Sequence, residues 1–167
     1  LFTQTQGLTG EQAENLLIST TALANANNVA PDKVVADVAN NTEAFAKFAQ
    51  DGGENILRAA VQARKLGLDL DKVANVSNNI LDFQSDLNNE ITASVMIGRD
   101  LNLQKARELA LSNDIEGAMA EVVKQVGSEA EFNKLNALER QALADAVGLQ
   151  VGDLQKLVNK EKESVTL

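Results

Sequence analysis

The sequence predicts an all-α protein, a compact multi-helix bundle of crossed short helices joined by repeated helix-turn-helix corners. Three observations carry that prediction. Good helix formers dominate the 167 residues, and Pro31 is the only proline. No stretch alternates apolar and polar residues long enough to build a sheet. One local pattern suited to turning a helix into the next occurs four times. Only 3% of residues are aromatic, all five of them Phe, so the core must come from Leu, Val, Ile and Ala, and helices packed closely through Ala fit that supply.

Thr9 with Gln12 forms a capping box for a first helix carrying Leu16, Leu17, Thr20, Leu23 and Ala24 on one face and ending near Asn28. Pro31 suits the first turn of a second helix, whose row Val34, Val35, Val38, Phe45, Phe48 and Ala49 runs to Gly52-Gly53 with a break or kink at Asn40-Asn41. A third helix from Glu54 to Leu66 presents Ile56, Leu57, Ala60, Val61 and Arg64. A short one follows from Leu70, then a longer one holding Ile80, Phe83, Leu87, Ile91 and Val95, closed by Gly98. The rest reads as helices led by Asn102, Asp114, Ser128 and Asn136, all good N-cap types, and by Gln150, a weaker one. Phe45, Phe48 and Phe132 are expected to be buried together.

The repeated corner has a fixed register. Asn28, Gly67, Asp100 and Gly148 each supply a residue tolerant of the left-handed conformation. An apolar residue follows (Val29, Leu68, Leu101, Leu149), and another stands five positions later (Val34, Val73, Ala106, Leu154). That offset places the pair at N′ and N4, the hydrophobic staple that fixes the angle at which a helix leaves a corner. The intervals are unequal, so this is no solenoid of fixed period. The expected organisation is a single helical domain over 1–160, or two lobes over 1–66 and 67–160, with a frayed tail over 161–167. Leu1 in place of Met suggests a processed product or, as the better reading, a fragment of a longer chain.

Charge and composition narrow the function. Fifteen Lys and Arg against 24 Asp and Glu give a net charge of −9, which argues against duplex DNA or a membrane surface as main partner. With no Cys and no His there is no disulfide framework, no thiolate or imidazole metal site and no His-based nucleophile. The longest uncharged stretch, Asn15 to Pro31, is too rich in Ser, Thr and Asn to span a bilayer.

The individual motifs are weak. The last corner, Ala142 through Leu154, has the form of a DNA-binding helix-turn-helix, but its second helix offers Lys156 and Lys160, no Arg and an early Asp153. A structural corner is the better reading. Asp69-Leu70-Asp71 begins like a calcium loop yet lacks the glycine at the sixth position and has Ile80 at the twelfth, so Asp69 reads as an N-cap. Glu129 with Glu131, and Glu161 with Glu163, read as solvated acids rather than glycosidase carboxylates. Adjacent Asn pairs, such as Asn78-Asn79 and Asn88-Asn89, serve caps and exposed faces, or a weakly charged surface that slides inside another protein. No catalytic, cofactor or metal residue is expected.

From Leu66 onward, several phrases coincide: Leu66-Gly67-Leu68, Asn79 through Ser85, Asn89-Glu90-Ile91, Gly98 through Leu103, Ala106 through Ala110, Leu143-Ala144 with Val147-Gly148-Leu149, and Asp153-Leu154. Together they resemble a helical region of the tape-measure proteins of tailed phages, and Ala30 through Val34 and Asn55-Ile56-Leu57 are compatible with it. The resemblance implies a very long parent chain that sets tail length, lies in the tube lumen and leaves ahead of the DNA, assembled in the host cytoplasm and resident in the virion tail. It implies tail tube or baseplate hub proteins as partners, a homo-oligomer in the virion, no specific nucleic acid and membrane contact only during ejection. It carries over no catalytic residues. The frequent corners and lack of sustained heptads depart from a coiled-coil tape measure and suggest a folded lobe. Ile80, Phe83, Leu87 and Ile91 are the expected partner face, or else core. The alternatives are a free-standing DNA-binding regulator, a protein-interaction adaptor, or a peptidoglycan-cleaving enzyme.

Overall fold

The computed structural model describes residues 7–166, with side chains as far as Asn159. Among these residues the protein is all-α, with eleven α-helices, one 3-10 turn and no strand. The helices are α1 (Gly10–Ala26), α2 (Pro31–Asn40), α3 (Thr42–Phe48), α4 (Glu54–Lys65), α5 (Leu70–Leu81), α6 (Phe83–Ile97), α7 (Gln104–Leu111), α8 (Ile115–Val126), α9 (Glu129–Asn133), α10 (Ala137–Val147) and α11 (Val151–Thr166). Backbone over the expected tail is helical as far as Thr166, while its side chains and Leu167 lie outside the described residues.

The chain divides into two compact units. The first takes Leu1–Ala74 with Asn113–Glu116, and the second Asn75–Ser112 with Gly117–Leu167. The division thus falls within α5 and again within α8, rather than at the Leu66-Gly67 corner. All three of Phe45, Phe48 and Phe132 are buried, the first two in the core of the first unit and Phe132 in that of the second.

In the first unit, α1, α2 and α4 pack against one another through Leu16, Val34, Val38, Ile56, Leu57 and Ala60, all nearly or fully buried. The Thr9–Gln12 capping box starts α1 as expected, but Leu17 points to solvent, because Leu16, Thr20 and Ala24 already define the buried stripe. The anticipated second helix is two: Asn41 ends α2, and its amide side chain donates to the Asp37 carbonyl. Arg64 of α4 grips the Asp37 carboxylate with two bonds of 2.7 Å, fixing α2 on α4. Gly53, at φ +96°, is required where it stands, since a Cβ there would lie 2.6 Å from the Phe45 ring.

The second unit packs α6 on α10 and α11 on both α9 and α10. Its core includes Leu103, Met119, Val122, Phe132, Leu143 and Leu157. Ser128 and Asn136 each form a full capping box, with Glu131 and Glu139, which starts α9 and α10 where the sequence places them.

Three of the four corners share one geometry. Asn28, Gly67 and Gly148 have φ of +57°, +81° and +83°. The amides of the next residues, Val29, Leu68 and Leu149, donate five residues back to the carbonyls of Ala24, Ala63 and Ala144, at 2.9, 2.8 and 3.1 Å. This is the six-to-one bond of a Schellman turn. Val34, Val73 and Leu154, the staple residues, are fully buried.

The corner placed at Asp100 is built differently. The left-handed residue is Gly98 at φ +74°, and α7 begins one residue later than the shared register requires, with Leu103 as its N-cap. Asn102 does not cap the helix. It makes a local turn instead, its side chain accepting from the Gln104 amide at 3.0 Å. Leu101 and Ala106 are buried nonetheless.

Candidate interaction face

The expected long helix from Ile80 to Val95 is interrupted at Asp82, so Ile80 belongs to α5 and is fully buried, while Phe83, Leu87 and Ile91 belong to α6. Of the four residues singled out as a partner face or core, Ile80 is therefore core and the other three lie at the surface. Phe83, Leu87, Ile91 and Val95 recur every fourth residue and are 56%, 37%, 56% and 77% exposed, with Met96 beside them at 39%. One α-helical row of this length extends for roughly 18 Å.

The opposite side of α6 is polar where an ordinary surface helix would be apolar. Asp86 is fully buried, the Glu90 side chain is 12% exposed, and the small Ala93 completes the inner face. Both carboxylates meet Arg107 of α7, whose Nη2 donates to Asp86 at 2.7 Å and to Glu90 at 3.1 Å. Arg107 Nε donates to the Ile80 carbonyl at 2.8 Å, taking up an acceptor that the end of α5 leaves free, and Nη1 donates to Gln104. Glu90 also accepts from the Leu103 amide at 3.1 Å and so caps the N-terminus of α7 from a neighbouring helix.

Asn79 completes the network, donating to Asp86 at 3.0 Å and to the Ala146 carbonyl of α10 at 3.1 Å. Its Cβ faces Gly148, where an added Cβ would lie 2.6 Å away, so the α10–α11 corner can approach α5 only through a glycine. Burial pushes the Asp86 carboxyl up to about 6, against the pull of Arg107 and Asn79. The Phe83 ring lies 5.2 Å from the Arg107 guanidinium carbon and partly shields it.

The consequence is an inverted helix. Asp86 and Glu90 are the only charged residues of α6, and both turn inward, leaving an outer surface of apolar side chains bordered by uncharged Gln84, Ser85, Asn88 and Thr92. The inner half of this pattern escapes sequence reasoning, because Asp86 and Glu90 stand at the spacing of ordinary solvent-facing acids. Their only signal is Arg107, which lies on another helix. Elsewhere, Leu111 and Leu138 are exposed singly, and Leu17 with Ile18 are adjacent on α1 without continuing into a row.

On α11, the helix that would read a DNA groove, Asp153, Leu154, Leu157 and Val158 are buried, leaving Gly152, Lys156 and Asn159 outward among the described side chains. Among the described residues, no group of three or more acidic side chains is arranged to hold a metal, and no helix is long and apolar enough to cross a membrane. No family model, no curated protein and no solved structure matches the chain.

Proposed function

We propose that the chain is a non-enzymatic structural segment of a phage tail tape-measure protein, resident in the virion tail and serving tail-length determination, assembly and genome ejection. The tail assignment rests on the sequence phrases from Leu66 to Leu154. The structural role rests on one observation, the inversion of α6. A helix that turns its carboxylates inward and its aliphatic side chains outward is built to be covered, because an exposed apolar row gains free energy only when another surface removes it from water. Tail tube or baseplate hub proteins are the partners this role implies.

The reading frame surrounding these residues tests the assignment. A parent of many hundreds of residues with long helical stretches is the expected result. A short frame ending near Leu167 would overturn the tape-measure reading and leave a free-standing helical adaptor.

A further inference from the structure

We propose that the buried Asp86–Glu90–Arg107 cluster is a proton-operated latch for α6: the helix stays docked while the cluster holds one extra proton and opens more often once that proton is lost. The latch stands independently of the tail assignment.

Little else holds α6 in place. Of its 15 residues only Asp86 and the small Ala93 are buried, and no large apolar side chain of the helix is. An element with so few buried apolar contacts opens locally, well before the whole chain unfolds. What fastens it is polar. Asp86 accepts from Arg107 at 2.7 Å and from Asn79 at 3.0 Å, and Glu90 accepts from Arg107 and from the Leu103 amide, both at 3.1 Å. These bonds tie the helix to α5 and α7.

The cluster is one positive charge short. Two carboxylates share one guanidinium, a sum of −1, where the side chains of Asp86, Arg107 and Glu90 are 0%, 4% and 12% exposed. Among the described residues, the surrounding elements supply no further cation. α10, packed on α6, buries Leu143, Ala144, Ala146 and Val147, while Glu139 bonds Asn136, Arg140 lies over Phe132 and Asp145 bonds Gln141. On α7, Lys105 pairs with Glu121 and Glu108 bonds Gln104. From α5 comes the neutral amide of Asn79, Asp82 at the start of α6 is exposed, and Arg99 beyond its end bonds the Val126 carbonyl. A proton on Asp86, the fully buried member, restores neutrality and leaves Glu90 to pair with Arg107. Burial accordingly raises the Asp86 carboxyl to about 6. Opening the helix to water returns that carboxyl to its ordinary value, so docking is strongest in mild acid and weakens as pH rises through about 6.

Amide hydrogen exchange of the full chain, read as protection factors over a pH series, tests the latch. Protection of the α6 amides should fall about tenfold from about pH 5 to about pH 7.5, the change that a rise from 3.8 to about 6 entails. Those amides should also be less protected than the amides of α10, the mark of a local opening. Asp86→Asn should abolish the fall. Glu90→Gln removes the surplus charge while its amide oxygen can still accept from Leu103, so it should shrink the fall and move it to lower pH. Protection of α6 that is level with pH in the parent overturns the proposal, as does a fall that survives in both variants, or α6 amides protected as well as those of α10.

Discussion

Removing Asp86 and removing Arg107 have unequal consequences, because the two side chains leave different groups behind. Arg107 holds two carboxylates, one of them fully buried, so Arg107→Met strands both and is expected to cost about 3–5 kcal/mol at neutral pH. Asp86→Asn keeps the shape and leaves Arg107 with Glu90, and it removes a carboxylate whose ionisation burial already disfavours. That variant should lie within about 1 kcal/mol of the parent in urea unfolding. The sign of the pH effect follows from the raised value. The folded chain holds the Asp86 proton more tightly than the unfolded one, so this group's contribution is full below its ordinary value of 3.8 and lost as pH rises through about 6. The stability difference between parent and Asp86→Asn, measured across that window, isolates it from carboxylates such as Glu131, whose lowered pKa acts in the opposite direction. Gly148→Ala combines a left-handed backbone with a Cβ driven into Asn79, and about 1–3 kcal/mol should be lost, read from the shift in unfolding midpoint.

At the scale of the helix, Ile80 and Ile91 are the same residue type in opposite environments. Ile80→Ala empties a fully buried site and should destabilise by about 2–5 kcal/mol. Ile91→Ala should fall within about 0.5 kcal/mol when measured on the monomer. Equal losses at the two positions would show that the outer row is covered within the chain. Helix starts were legible wherever their chemistry is local. Thr9, Ser128 and Asn136 each bond an amide three residues on and find a carboxylate or amide reaching back, and all three helices begin as expected. The break at Asp82 was not legible, since no proline or glycine marks it and the apolar spacing runs on from Ile80 to Phe83. What interrupts the run is tertiary: Arg107 claims the Ile80 carbonyl, an atom no local pattern connects to it. The same long-range arginine explains why the spacing of apolar residues along α6 marks its row without showing whether that row faces the core.

For the whole molecule, the all-α class is legible in composition, and a two-lobed organisation is one of its two expected forms, but the places where the units divide are not legible, because they fall within α5 and α8, where the helical pattern is uninterrupted. Charge also acts at this scale. With a net charge of −9, raising salt from low to physiological ionic strength, where the Debye length is about 8 Å, screens repulsion among the surface acids and should raise the unfolding midpoint. A midpoint that falls with salt would instead show that ion pairs such as Arg64–Asp37 outweigh that repulsion, and thermal unfolding in a salt series distinguishes the two.

The three Schellman corners are also spelled alike. Ala24 to Val34, Ala63 to Val73 and Ala144 to Leu154 each read as an alanine, three free positions, an Asn or Gly, an aliphatic residue, four more positions and a second aliphatic residue. Each alanine is fully buried and lends its carbonyl to the turn. At Asp100, where the corner is built differently, the corresponding position is Met96. The alanine therefore carries information that the glycine does not, since Asn28 replaces glycine without loss of the turn. The phrase works as a punctuation mark that can be searched for in other helical sequences and transplanted between them, with each occurrence stating where one helix stops and at which residue the next is pinned.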